Sequence, residues 1–120
     1  MGLFTILHTD GQLMSYIDAI AATAVDALQA IDPVAGMDMA QTKAIAGDRL
    51  CLCGNIDCGL LLRGTPEQVY AATQTLLATC KADGNLVLGA SNAVQSEVPM
   101  ANYRAMIEAR KAFGRYGATR

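Results

Sequence analysis

Short apolar runs alternate along this chain with longer stretches in which apolar residues recur every three or four positions. The first run, Leu3-Phe4-Thr5-Ile6-Leu7-His8, ends at Thr9-Asp10-Gly11. A run of that length closed by turn formers predicts a strand. Leu13, Ile17, Ile20, Ala21 and Ala24 then share one face of a helix from about Gln12 to Val25. Ala27 to Ile31 predicts a second strand, stopped by Asp32-Pro33. Met37 to Ala46 predicts a second helix, with Gly47 in the position a helix C-cap prefers. Arg49 to Cys53 reads as the third strand, closed by Gly54-Asn55. The next helix has the clearest boundary: Thr65 is a good N-cap, Pro66 suits the first helical position, and Gln68 stands in capping-box register. Its buried face is Val69, Thr73, Leu76, Leu77 and Cys80, and Asp83-Gly84-Asn85 ends it. Leu86 to Ala90 is the fourth strand. Pro99 opens the final helix, which is expected to pack through Tyr103, Met106, Ile107 and Phe113.

The order is strand–helix, four times over. Short apolar strands alternating with helices predict an α/β fold of parallel strands joined by right-handed crossovers. Periodicity does not separate an open sheet from a sector of a barrel. Length adds that 120 residues make one domain, against about 250 for a closed eight-unit barrel. In parallel α/β folds the functional end is where the strands finish. His8, Thr9 and Asp10 lie there after strand one, Asp32 and Asp38 after strand two, Asn55, Asp57 and Cys58 after strand three, and Ser91 and Asn92 after strand four. The opposite ends offer mostly Gly, Asp48 and Arg49, which read as turn chemistry.

Composition narrows the function classes. Apolar residues make up 52% of the chain, enough for a core and too many for a disordered tail. Asp10, Asp18, Asp26, Asp32 and Asp38 interrupt the long N-terminal stretch. No apolar run therefore approaches the roughly 18–20 residues of a membrane span. Met1-Gly2-Leu3-Phe4 has no basic region or cleavable pattern, and Ile6 stands where a myristoylation signal prefers Ser or Thr. The expectation is a cytoplasmic protein with no membrane partner. Net charge is −2 and the basic residues are thinly spread. Only Arg104 to Arg115 forms a cluster, which suits a helix C-terminus better than a nucleic-acid interface.

His8 is the single histidine, an acid, base or ligand in one reading and a hydrogen-bonded rim residue in the other. Cys51, Cys53 and Cys58 suggest a metal cluster at first sight. Period two, however, puts Cys51 and Cys53 on one strand face, where cysteines behave as small hydrophobes. The core reading is therefore preferred to a zinc site, and with no sign of export all four thiols, Cys80 included, are expected to be free. Asp10, Asp38 and Asp57 suit turns or caps as well as ligand binding. For Asp38, near the start of its helix, capping is the stronger reading. Met37, Met39, Met100 and Met106 read as gap-filling core.

Several blocks resemble the uroporphyrinogen decarboxylase family, whose superfamily also holds the cobamide-dependent methyltransferases. They are Leu7-His8-Thr9-Asp10-Gly11, Pro33-Val34-Ala35-Gly36-Met37-Asp38, Gly54-Asn55-Ile56-Asp57-Cys58, Arg63-Gly64-Thr65-Pro66-Glu67-Gln68-Val69, Ser91-Asn92 and Pro99-Met100-Ala101-Asn102-Tyr103. The blocks run in family order over nearly the whole chain and align with the C-terminal half only. The resemblance implies four βα units with parallel strands, half of a (β/α)8 TIM-type barrel. It also implies that the catalytic aspartate and substrate-holding arginines belong to the other half, so that this chain is catalytically incomplete by itself. A histidine in the last βα loop of the decarboxylases falls on Asn92. In the methyltransferase branch a His-x-Cys pair and a later Cys hold zinc; the matching positions are His8, Asp10 and Asn92, so two of three ligands are replaced. The His-Thr-Asp-Gly and Gly-Asn-Ile-Asp-Cys motifs look most like a third branch, of unnamed substrate. The implied site has His8, Asp10 and Asn92 at its catalytic positions and Asp38, Asn55, Asp57 and Ser91 as substrate-binding positions. No metal or other cofactor is expected, and the implied ligand is a tetrapyrrole-like small molecule; the alternatives are a zinc- or corrinoid-dependent methyltransferase-like protein, with a metal at His8 and Asp10 and help from Cys58 or Asn92, and a non-catalytic oligomeric half barrel. Two open strand edges imply self-association, as a homodimer or larger, or pairing with a complementary half barrel.

Overall fold

The computed structural model describes residues 2–116. Four parallel strands, β1 (Ile6–Thr9), β2 (Ala27–Ala30), β3 (Cys51–Ile56) and β4 (Leu86–Ala90), lie side by side in chain order. Register follows the period of two. Leu7, Leu28, Leu52 and Leu86 pair into one row across the sheet, while His8, Gln29, Cys53 and Val87 form the adjacent row on the opposite face.

The leucine row faces the helices. These are α1 (Ile17–Ala22), α2 (Met39–Ala46), α3 (Cys58–Arg63), α4 (Pro66–Cys80) and α5 (Met100–Phe113). One continuous core joins Leu28 and Leu52 to Ile17, Met39, Leu61, Val69 and Met106, all of them buried. Among the described residues no helix covers the other face. Ile6 keeps 64% of its surface exposed there and Val87 54%, whereas Cys53 at the centre is buried.

Several boundaries differ from those the sequence predicts, each for a local reason. β1 starts at Ile6, not Leu3, because β2 offers partners only to Ile6–Thr9. Asp26 then accepts from the Thr5 amide at 2.7 Å, which stitches the two strands just before the ladder. The first helix is a 3₁₀ turn at Met14–Tyr16 followed by the short α1. It stops early because Thr23 Oγ1 bonds back to the Ile20 carbonyl at 2.7 Å and Ala24 turns to positive φ. α2 begins at Met39, with Asp38 as its cap. β3 continues past Cys53 to Ile56 because β4 supplies partners as far as the Ile56–Ala90 pair. Gly54 therefore lies inside a strand, at φ 136°, where a Cβ would stand 2.6 Å from the Ala30 carbonyl oxygen. α3, unpredicted, fills the stretch before Thr65. The capping box at the start of α4 forms as the spacing predicts. Met100 is exposed and is not core, and in α5 the buried stripe is Asn102, Met106 and Ala109, with Tyr103 turned outward.

Candidate functional site

The sheet gathers its polar groups at the carboxyl ends of the strands. His8 sits within β1 on the open face, and Asp10 follows the strand. At the far edge of the sheet Asn92 follows β4. Its Nδ2 donates to both oxygens of Asp10, at 3.2 and 3.3 Å. The Asn92 Oδ1 accepts from the Ala93 amide at 2.8 Å, which orients the side chain. His8 Nε2 lies 3.9 Å from Asp10 Oδ2, and both side chains are about half exposed (52% and 51%). The loops after the first and last strands thus meet across the mouth of a curved sheet. Imidazole, carboxylate and carboxamide stand together there, open to solvent.

The positions implied as substrate-binding are held in different ways. Asp57 caps α3, accepting from the amides of Gly59 and Leu60. Asp38 caps α2, accepting from the Gln41 amide at 2.7 Å. These carboxylates are engaged by helix N-termini, where negative charge is favoured. Asn55 lies in β3 and donates through Nδ2 to the Ile31 carbonyl at 3.0 Å. Ser91 is buried, its hydroxyl 3.5 Å from the Cys58 thiol. Asn55 and Ser91 therefore fasten the loops after β2 and β3, while the cluster that faces outward is His8, Asp10 and Asn92.

Two further residues stand at the site, Gln29, which the sequence reading does not single out, and Arg63, which it does not place at the rim. Gln29, opposite His8 on β2, brings its Oε1 to His8 Nδ1. The sequence signal was a polar residue in an otherwise apolar strand, at even spacing from Ala27. Arg63, at the end of α3, turns back over Gly59, where an added Cβ would meet its Nη2 at 2.6 Å. Only the unpredicted helix brings this guanidinium toward the rim.

The ligand set of the methyltransferase branch does not fit here. Asn92 turns its N–H donors, not its oxygen, toward Asp10. Among the described residues no three His, Cys, Asp or Glu side chains converge on one point. On the open face Cys51 and Cys53 adjoin, and the Cys53 thiol is pushed up to about 11, first by burial and then by its neighbour Cys51. A thiol so raised is a poor ligand and nucleophile at neutral pH.

Comparison with known proteins identifies the family. The family model described as "Uroporphyrinogen decarboxylase (URO-D)" matches residues 2–113. The uroporphyrinogen decarboxylase of Psychromonas ingrahamii is 33% identical over 94 residues, 78% of this chain and 25% of that protein. That of Chlorobium phaeovibrioides is 33% identical over 95 residues, 77% of this chain and 26% of the relative. The chain therefore spans about a quarter of the length of the curated relatives it matches. A methyltransferase from Methanosarcina mazei superposes with a TM-score of 0.80 at 22% identity, over 93% of this chain and 32% of that one. That likeness is one of fold, a four-unit sector of a TIM-type barrel. With the family model covering residues 2–113, the chain belongs to the uroporphyrinogen decarboxylase family.

Proposed function

We propose that this chain supplies the His8–Asp10–Asn92 rim of a uroporphyrinogen decarboxylase-like site that further βα units complete. The observation that carries the reading is the Asn92–Asp10 bond, which joins the loops after β1 and β4 and sets a proton-transfer group beside them. Loss of a carboxylate from a pyrrole side chain develops charge in the ring system, and the vacated carbon must gain a proton. An imidazole can both take and give a proton, which is the step this carbon requires.

A tetrapyrrole-like substrate bears many carboxylates, and preorganised charge supplies most of such catalysis. The rim offers Asp10, Asp38 and Asp57 against one imidazole and the exposed Arg63. We infer that the cationic groups come from a complementary half barrel, and that the protein works in the cytoplasm. The four free thiols accord with a reducing compartment.

The test follows the carboxylate count of porphyrins formed from uroporphyrinogen under reducing conditions. Purified chain alone is expected to give no turnover. Co-expression with the part of the P. ingrahamii decarboxylase that precedes the matched stretch is expected to give turnover, lost in His8→Ala and Asn92→Ala. Turnover by the chain alone would overturn its incompleteness. A complemented enzyme indifferent to both substitutions would overturn the role of the rim.

A further inference from the structure

We propose that Gln29 is a positioning residue that fixes His8 as its Nδ1–H tautomer and so presents an unprotonated Nε2 at the mouth of the rim. Parallel pairing of β1 with β2 sets His8 directly opposite Gln29, and period two turns both onto the open face. Gln29 is the polar residue of a strand whose other members, Ala27, Leu28 and Ala30, are buried. Its carboxamide reaches His8 Nδ1 through Oε1. A carbonyl oxygen only accepts, so Nδ1 must carry the proton. A neutral imidazole has one N–H, and Nε2 is left with its lone pair.

The other neighbours leave that lone pair available. Asp10 Oδ2 is 3.9 Å from Nε2, beyond hydrogen-bond reach, and both Asp10 oxygens accept from Asn92. His8 is half exposed, so a ligand at the mouth can approach Nε2 directly. The class of group it would meet is an N–H or O–H donor. A proton taken from that donor makes the imidazolium, and the same proton leaves when the ring returns it to the ligand. With Nε2–H instead, the ring could offer only a donor to the mouth.

The inference rests on reading His8 as a working group of the rim, yet its test needs no turnover, so the two can fail separately. His8 is the single histidine, which gives one imidazole in spectra of the chain labelled with 15N-histidine. Long-range 15N–1H correlations at alkaline pH, where imidazole is neutral, report which nitrogen holds the proton. The wild-type chain is expected to show predominantly Nδ1–H. Gln29→Glu, whose carboxylate can only accept, is expected to keep that tautomer, and Gln29→Leu to lose it. Predominant Nε2–H in the wild type would mean that the amide donates, and would overturn the proposal. So would Nδ1–H undiminished in Gln29→Leu. Should the leucine variant fail to fold, the wild-type and Gln29→Glu spectra still decide, since a mismatch between them excludes an accepting oxygen at Gln29.

Discussion

The Cys53 thiol couples a single side chain to the stability of the sheet. An unfolded thiol ionises near 9.0, whereas in the folded chain burial and the adjacent Cys51 push Cys53 up to about 11. The folded state holds this proton more tightly, so its contribution is complete below about pH 9 and is lost as the pH rises toward 11. The loss is on the order of 3 kcal/mol, at 1.36 kcal/mol per pKa unit. Urea denaturation at pH 8 and pH 10.5 should show a steeper fall for the wild type than for Cys53→Ala, in which the other titrating groups are common to both. Equal slopes would show that Cys53 ionises normally. At this scale the sequence was partly legible. Two cysteines on one strand face, a capping Asp38 and a buried Cys80 follow from period and position alone. That Asp10 and Asn92 touch does not, because 82 residues separate them and only the curvature of the sheet brings the loops together. Gln29 is not legible in the sequence, because a strand with apolar neighbours reads as core, and nothing local says that its face is open and that His8 stands opposite.

Between elements, a single carboxamide ties α3 to α5. Asn102 is 2% exposed and donates to the carbonyls of Leu61 at 2.9 Å and Gly64 at 2.8 Å. Those are among the carbonyls that the end of a short helix leaves without partners. Asn102→Leu is about the right size for the space but strips both acceptors, an expected cost of about 2–4 kcal/mol. Thr65→Ala, which removes half of the exposed capping box, should cost about 1 kcal/mol. Urea midpoints at unchanged m-value measure both. A smaller loss for Asn102→Leu than for Thr65→Ala would mean that water satisfies the two carbonyls. The contrast repeats in what could be read beforehand. The capping box is a local device and was legible to the residue. α3 was not: its six residues make under two turns, too few for a period to show. Gly54-Asn55 looked like a turn because those residue types usually break strands, yet β4 pairs them into the ladder. Long-range pairing outweighed local propensity there.

Among the described residues the sheet has two unpaired strand edges, at β1 and β4, and one face without a layer over it. Phe4 at 90%, Ile6 at 64% and Val87 at 54% exposure lie on or beside that face. Beside β4 runs a groove walled by Leu88, Val94, Tyr103 and Ile107. Unpaired edges flanked by apolar side chains favour association, and eight parallel strands in a closed barrel leave no edge at all. Two copies related by a twofold axis along the barrel would set β4 of each beside β1 of the other. All strands would keep one direction, and both edges and both open faces would be removed together. Charge opposes this only weakly, since each copy carries a net charge of −2. The same closure would put two His8–Asp10–Asn92 rims around one mouth. Sedimentation equilibrium at micromolar concentration is expected to give a dimer or a larger closed species. Ile6→Asp and Val87→Asp, which bury a carboxylate in the joined faces, are expected to shift it to monomer without unfolding the chain, because both side chains lie outside the helix-covered core. A wild-type chain that sediments as a stable monomer would show that the open face tolerates water, and the case for closure by a second copy would fall.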